Sequence, residues 1–166
     1  MSRYQDLCDA FARFESNKLE FFRRMGEQAY LFKNGLAEYI GAPDGYIPKI
    51  SDAHASREYV RLLKGDIDDW EDIDSPADLY KTKNDLIIWF GVAISLQRGP
   101  NTFPLQHFQI KVGLREIGDR MEVLLTELDT SFECERVGNA YAYEAAYEAI
   151  CNRIEDRLNF EKLGSR

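Results

Sequence analysis

The chain predicts an α+β fold: a four-stranded antiparallel meander, a long N-terminal helix and a C-terminal helix packed on one face of it, and two short helices at its edge. Three patterns carry that expectation. Apolar side chains recur at steps of three and four through the first forty residues, apolar and polar residues alternate from 86 to 97 and from 107 to 115, and an alanine-rich amphipathic stretch follows residue 139.

In the first segment, Ser2 and Gln5 fit a capping box. Leu7, Phe11, Phe14, Phe21, Met25, Phe32, Leu36 and Tyr39 then form one aromatic face, with Lys18 as its break. Asn34-Gly35 is a plausible left-handed stop, which places the helix end near Lys33. A helix continuous to Ile40 would measure about 55 Å, against about 40 Å for a compact chain of this length. Such a helix must break, overhang or meet another subunit.

The connector "GAPDGYIP" at 41–48 is rich in turn residues. Ser51 or Asp52 is expected to cap a short helix running to Leu63 with Gly65 as its exit, and "SPAD" at 75–78 to start another. Leu86, Ile88, Phe90, Val92, Ile94 and Leu96 alternate with the residues between them over a first strand, and Phe108, Ile110, Val112 and Leu114 over a second. A two-residue turn at Gly118-Asp119 pairs Leu114 with Val123 and Arg115 with Glu122. The charged run 131–137 suits an edge strand. Asn139 is expected to cap the last helix, which aligns Tyr143, Tyr147, Ile150, Ile154 and Leu158.

At 166 residues and 45% hydrophobic content, the chain reads as a single domain, 1–166, that builds its own core. Cys8, Cys134 and Cys151 are odd in number and widely spaced, which indicates free thiols and neither a disulfide framework nor a zinc site. A charged N-terminus and a longest apolar run of eleven residues, "LIIWFGVAISL", argue against a signal peptide and a membrane span, so a cytoplasmic location is expected. No motif calls for a cofactor or a metal. Direct nucleic-acid binding is not expected, because Lys and Arg form no cluster.

The net charge of −8 is concentrated. Residues 65–85 carry two Lys+Arg against eight Asp+Glu, and "GDIDDWEDID" at 65–74, set between the two short helices, holds six of those acids. Asp66, Asp68, Asp69, Glu71, Asp72 and Asp74 surround Trp70. They form the candidate surface for a basic protein partner, with Trp70 as anchor and the carboxylates steering association. The other side of the sheet, with Trp89, His107, Gln109, Lys111 and Arg115, is a second candidate surface. On this reading the chain is a small acidic protein-binding domain of the inhibitor, immunity, antitoxin or adaptor kind.

Two alternatives stand beside it. "HAS" at 54–56 and "HFQ" at 107–109 resemble the paired His-x-Ser/Thr motifs of the 2H phosphoesterase family, with Gln109 where the second hydroxyl belongs. The resemblance implies a small hydrolase using His107 for proton transfer. The excess length of the N-terminal helix points instead to an assembly protein, with a homodimer formed through helix ends.

Overall fold

A computed structural model describes residues 2–43, 46–47, 57–66, 68–73, 75, 79, 86–99 and 106–159. In chain order the elements are α1 (Arg3–Ile40), β1 (Tyr46–Ile47), β2 (Arg57–Glu58), β3 (Val60–Lys64), β4 (Glu71–Asp72), β5 (Ile88–Leu96), β6 (Gln106–Ile117), β7 (Arg120–Leu125), β8 (Thr130–Cys134), β9 (Arg136–Val137), β10 (Ala140–Tyr141) and α2 (Glu144–Leu158). A 3₁₀ turn at Thr126–Leu128 joins β7 to β8.

The sheet is antiparallel and has six strands, in the order β4-β3-β5-β6-β7-β8. The four expected strands are β5 to β8. Their hairpin has the expected register, Leu114 against Val123 and Arg115 against Glu122, and turns at Gly118 with φ +61°. Of the two further strands, Val60–Lys64 replaces the end of an expected helix, and Glu71–Asp72 lies in the acidic segment between the two expected helices. Val60–Lys64 runs beside β5, pairing Val60 with Ile94 and Leu62 with Val92, and Glu71–Asp72 folds back on Leu63 and Lys64. Helix-capping logic alone pointed the wrong way for 60–63. Val60 and Leu62 face the core at alternate positions and bury there, which decides for a strand. The expected helix starts at 51–56 and 76–78 lie outside the described residues.

One sheet face carries the core. Ile88, Phe90, Val92 and Ile94 of β5, Phe108, Ile110, Val112 and Leu114 of β6, and Met121, Val123 and Leu125 of β7 are all buried. Met25, Ala29, Phe32 and Leu36 of α1 pack on them together with Ala146, Tyr147, Ile150 and Ile154 of α2. The helix α2 begins at Glu144, four residues later than a cap at Asn139 would start it, because Ala140–Tyr141 first pairs with Arg136–Val137. Leu158, expected on its apolar face, is exposed.

The helix α1 does not stop at Asn34-Gly35. It runs 38 residues, from an N-cap at Ser2, whose Oγ accepts from the Gln5 amide, to a left-handed C-cap at Gly41. Gly35 serves helix packing instead of termination. The Tyr147 ring fills the space where its Cβ would be, and the Tyr147 hydroxyl donates to the Phe32 carbonyl at 3.0 Å. Helix α1 is about 57 Å long at 1.5 Å per residue, and residues 3–20 overhang the body.

Candidate functional site

Five of the twelve large hydrophobic residues exposed among the described residues, Tyr4, Leu7, Phe11, Phe14 and Leu19, lie on the overhang. Tyr4, Leu7, Phe11 and Phe14 are 58–75% exposed. Eighteen residues make five turns of an α-helix, so these four stand directly in line with Phe22, Met25, Ala29 and Phe32, whose side chains are buried in the body. A single stripe therefore seats the sheet along its C-terminal half and faces open space along its N-terminal half. Lys18 occupies the matching position between the halves, in line with Leu36. The opposite face of the overhang is polar. It is knitted by Gln5 to Asp9 at 3.0 Å and by Arg23 to Glu20 and Glu27 at 2.8 and 3.2 Å.

The root of the overhang is fixed to the body. Arg24 donates from Nε and from its terminal nitrogen to the two carboxylate oxygens of Glu116, at 3.0 and 2.9 Å, and its guanidinium lies 5.4 Å from the Phe21 ring centre. The Glu116 bonds hold the Arg24 pKa above its ordinary value, against a smaller effect of burial. Gln28 donates to the Asn139 carbonyl at 3.0 Å. Close to these ties in the chain, Ile117 is 41% exposed and Val137 65% exposed.

The acidic segment is the loop of the β3–β4 hairpin. Gly65, with φ +109°, permits the reversal, since a Cβ there would meet the Asp69 carbonyl oxygen at 2.2 Å. The Asp69 amide closes the turn onto the Asp66 carbonyl at 2.8 Å. Three of the acids pair with this chain's own cations. Asp66 accepts from Lys111 Nζ at 3.1 Å, Asp72 from Arg61 at 3.0 and 3.2 Å, and Glu71 stands 3.7 Å from Lys64. Asp68 and Asp69 are exposed, while Asp74 lies outside the described residues. Trp70 does not project outward; its ring lies on the bare backbone of Gly91 in β5.

The outer face of the sheet is partly covered. As Trp70 sits on Gly91, so Trp89 sits on Gly113 of β6, filling the gap that a glycine leaves in a pleated surface. Lys111 bridges the two motifs, 5.1 Å from the Trp89 ring centre and bonded to Asp66. Arg115 donates from Nε to Glu122 at 2.9 Å. Gln109 is exposed, and so is His107, whose Nδ1 lies 2.7 Å from the Oγ of buried Ser95 on the neighbouring strand. His54 and Ser56, the other half of the phosphoesterase-like pattern, lie outside the described residues.

A cavity of about 610 Å³ opens at the C-terminal end of α1, lined by Lys33, Asn34, Glu38, Glu58 and Tyr59 among others. Lys33 and Glu58 in its lining pair with each other. The Lys33 ammonium, almost fully buried, bonds Glu58 at 2.9 Å and lies 4.5 Å from the Tyr30 ring centre. Among the described residues no group of three or more His, Cys, Asp and Glu could hold a metal ion, and no helix is long and apolar enough to cross a membrane.

Comparison with protein-family models, with curated proteins and with solved structures finds no match. The geometry alone therefore ranks the surfaces. The overhang joins residues that sequence reading took as one core-facing helix; the sign that could have separated its halves was the interruption at Lys18 together with the helix length. Tyr4 was missed as the stripe's first member.

Proposed function

We propose that this chain is a protein-interaction module that docks through the apolar stripe Tyr4-Leu7-Phe11-Phe14 on the overhanging half of α1. The observation that carries this reading is the continuation of the buried stripe, in line and with the same spacing, onto helix that nothing of this chain covers among the described residues. Large aromatic groups on a helix are what anchors of protein interfaces are made of, because they bury much area and lose little side-chain entropy. The amphipathic overhang suits helix-in-groove or helix-to-helix recognition. The acidic hairpin loop contributes less to this reading than its composition suggests, since Asp66, Glu71 and Asp72 meet internal cations and Trp70 is seated on Gly91.

The test is a Phe11→Glu/Phe14→Glu variant of the full chain. Association, by light scattering for self-assembly and by capture for other proteins, should be lost while the melting temperature stays that of the parent. A variant that associates as the parent does contradicts the reading.

A second reading rests on the 2.7 Å contact between Ser95 and His107, which puts a hydroxyl within reach of a base. It predicts hydrolysis of ester or phosphodiester substrates that His107→Ala abolishes. Equal turnover by parent and variant, or no turnover by the parent, removes it.

A further inference from the structure

We infer that the occupant of the stripe is a second copy of this chain, laid antiparallel along the overhang about a two-fold axis between Phe11 and Phe14. The inference rests on the proposed docking role of the stripe and names its partner.

Sterics select the arrangement. The face of α1 that is free over residues 4–14 is the face that carries the sheet from Phe22 onward. A partner helix seated there and running parallel would be driven into the space that this chain's own sheet occupies. An antiparallel partner avoids the collision. Its body lies beyond the capped start of α1, and its own capped start stops where this chain's body begins. The 18-residue overhang is as long as full overlap allows: Tyr4 comes opposite Phe21 of the other copy, Leu7 opposite Lys18, and Phe11 opposite Phe14.

The chemistry of the seam agrees. Positions 4, 7, 11, 14, 18, 21 and 25 follow alternating steps of three and four, the spacing of a two-helix seam, and all but Lys18 are apolar. Parallel in-register pairing would stack Lys18 on Lys18, whereas the antiparallel register lays its methylene stem on Leu7 and leaves the ammonium in water. Ala10 and Cys8 flank the seam with little bulk. The pairing is self-complementary and closes at two copies.

The area sets the strength. Three aromatic side chains of about 150–250 Å² each, roughly two-thirds free, together with a leucine give on the order of 500 Å² per copy, about 1,000 Å² for the pair. That lies at the lower edge of specific interfaces, so the dimer is reversible and depends on concentration.

Sedimentation equilibrium of the full chain across the micromolar range is expected to show a monomer–dimer equilibrium. Phe11→Glu/Phe14→Glu should shift it to monomer at every concentration with unchanged circular dichroism. Orientation is read by spin-label distances between copies, from chains with Cys8, Cys134 and Cys151 replaced and one label introduced at Ser16→Cys, Gln5→Cys or Arg23→Cys. The antiparallel register offsets the paired labels along the axis by about 10, 22 and 32 Å respectively at 1.5 Å per residue, so the distances must lengthen in that order. Equal distances at the three sites overturn the inference, as does a parent that stays monomeric throughout. If the monomeric parent still captures another protein and the Phe11→Glu/Phe14→Glu variant does not, this inference falls and the docking role stands. Capture that the double substitution leaves intact removes both.

Discussion

The hydroxyl of Tyr147 lies 2.3 Å from the point where Gly35 would carry a Cβ, so α1 and α2 approach through a gap that only glycine leaves. In an isolated helix, replacing this glycine by alanine would help by about 1 kcal/mol. Here the added methyl must displace a ring that is buried and bonded to the Phe32 carbonyl, and overpacking of that kind costs about 1–3 kcal/mol. Gly35→Ala is expected to destabilise the fold in urea denaturation, and Gly35→Ala/Tyr147→Phe to recover part of the loss. A stabilised Gly35→Ala contradicts the close approach.

Trp70 and Gly91 form the corresponding pair on the outer sheet face. A Cβ on Gly91 would stand 2.9 Å from the Trp70 ring. Gly91→Ala and Trp70→Ala should each destabilise the chain, and the double variant should cost clearly less than the two together, with a coupling of about 1 kcal/mol. Strict additivity would show that the ring is not seated there.

The acids of the hairpin loop divide into two classes. Asp72 meets Arg61, whose side chain is 11% exposed, so Asp72→Asn is expected to cost about 1 kcal/mol by weakening a charge-assisted bond to a mostly buried guanidinium. Asp68 and Asp69 are exposed among like charges, and Asp68→Asn/Asp69→Asn should leave stability within about 0.5 kcal/mol of the parent. Chemical denaturation of both variants checks this; equal effects would contradict the division.

Stability should fall in alkali. The Tyr39 hydroxyl donates to Glu148, and that bond, more than burial, pushes its pKa up to about 12. Burial raises the Tyr143 and Tyr147 phenols further and lifts the Cys134 thiol to about 11. Each group thus keeps its proton more tightly folded than unfolded. The unfolded chain loses these protons first, from about pH 9 for the thiol and about pH 10 for the phenols, so stability is full below that range and declines as pH rises through it. Thermal melts from pH 8 to pH 11 should show the decline, and Tyr39→Phe should reduce it. A melting temperature that is flat or rising over this interval contradicts the assignment.

The sheet was legible where local patterning and burial agree. Period-two alternation located β5 and β6, and the Gly118 turn set the register of Arg115 on Glu122. Val60–Lys64 was misread because five residues give too short a period to outweigh a helix cap upstream, and its partner β5 lies about thirty residues away. Gly35 misled for a different reason: its role depends on Tyr147, more than a hundred residues later. The acid pairs had the same obstacle, because Asp66 meets Lys111 across the sheet. The length of the apolar stripe left a break, an overhang or a subunit contact open for α1, and which end overhangs was not legible, since both halves carry the same stripe.

That shared stripe gives the most direct test. The overhang has no tertiary cover among the described residues, and uncovered helix opens locally at little cost, so the amides of residues 5–20 should exchange hydrogen fast in the monomer and slowly once the stripe is covered. Hydrogen exchange read by mass spectrometry on the full chain, at concentrations below and above its association midpoint, should show protection of this segment rising strongly with association. Protection in residues 22–36 should stay constant. Overhang protection that is the same at both concentrations would contradict the account.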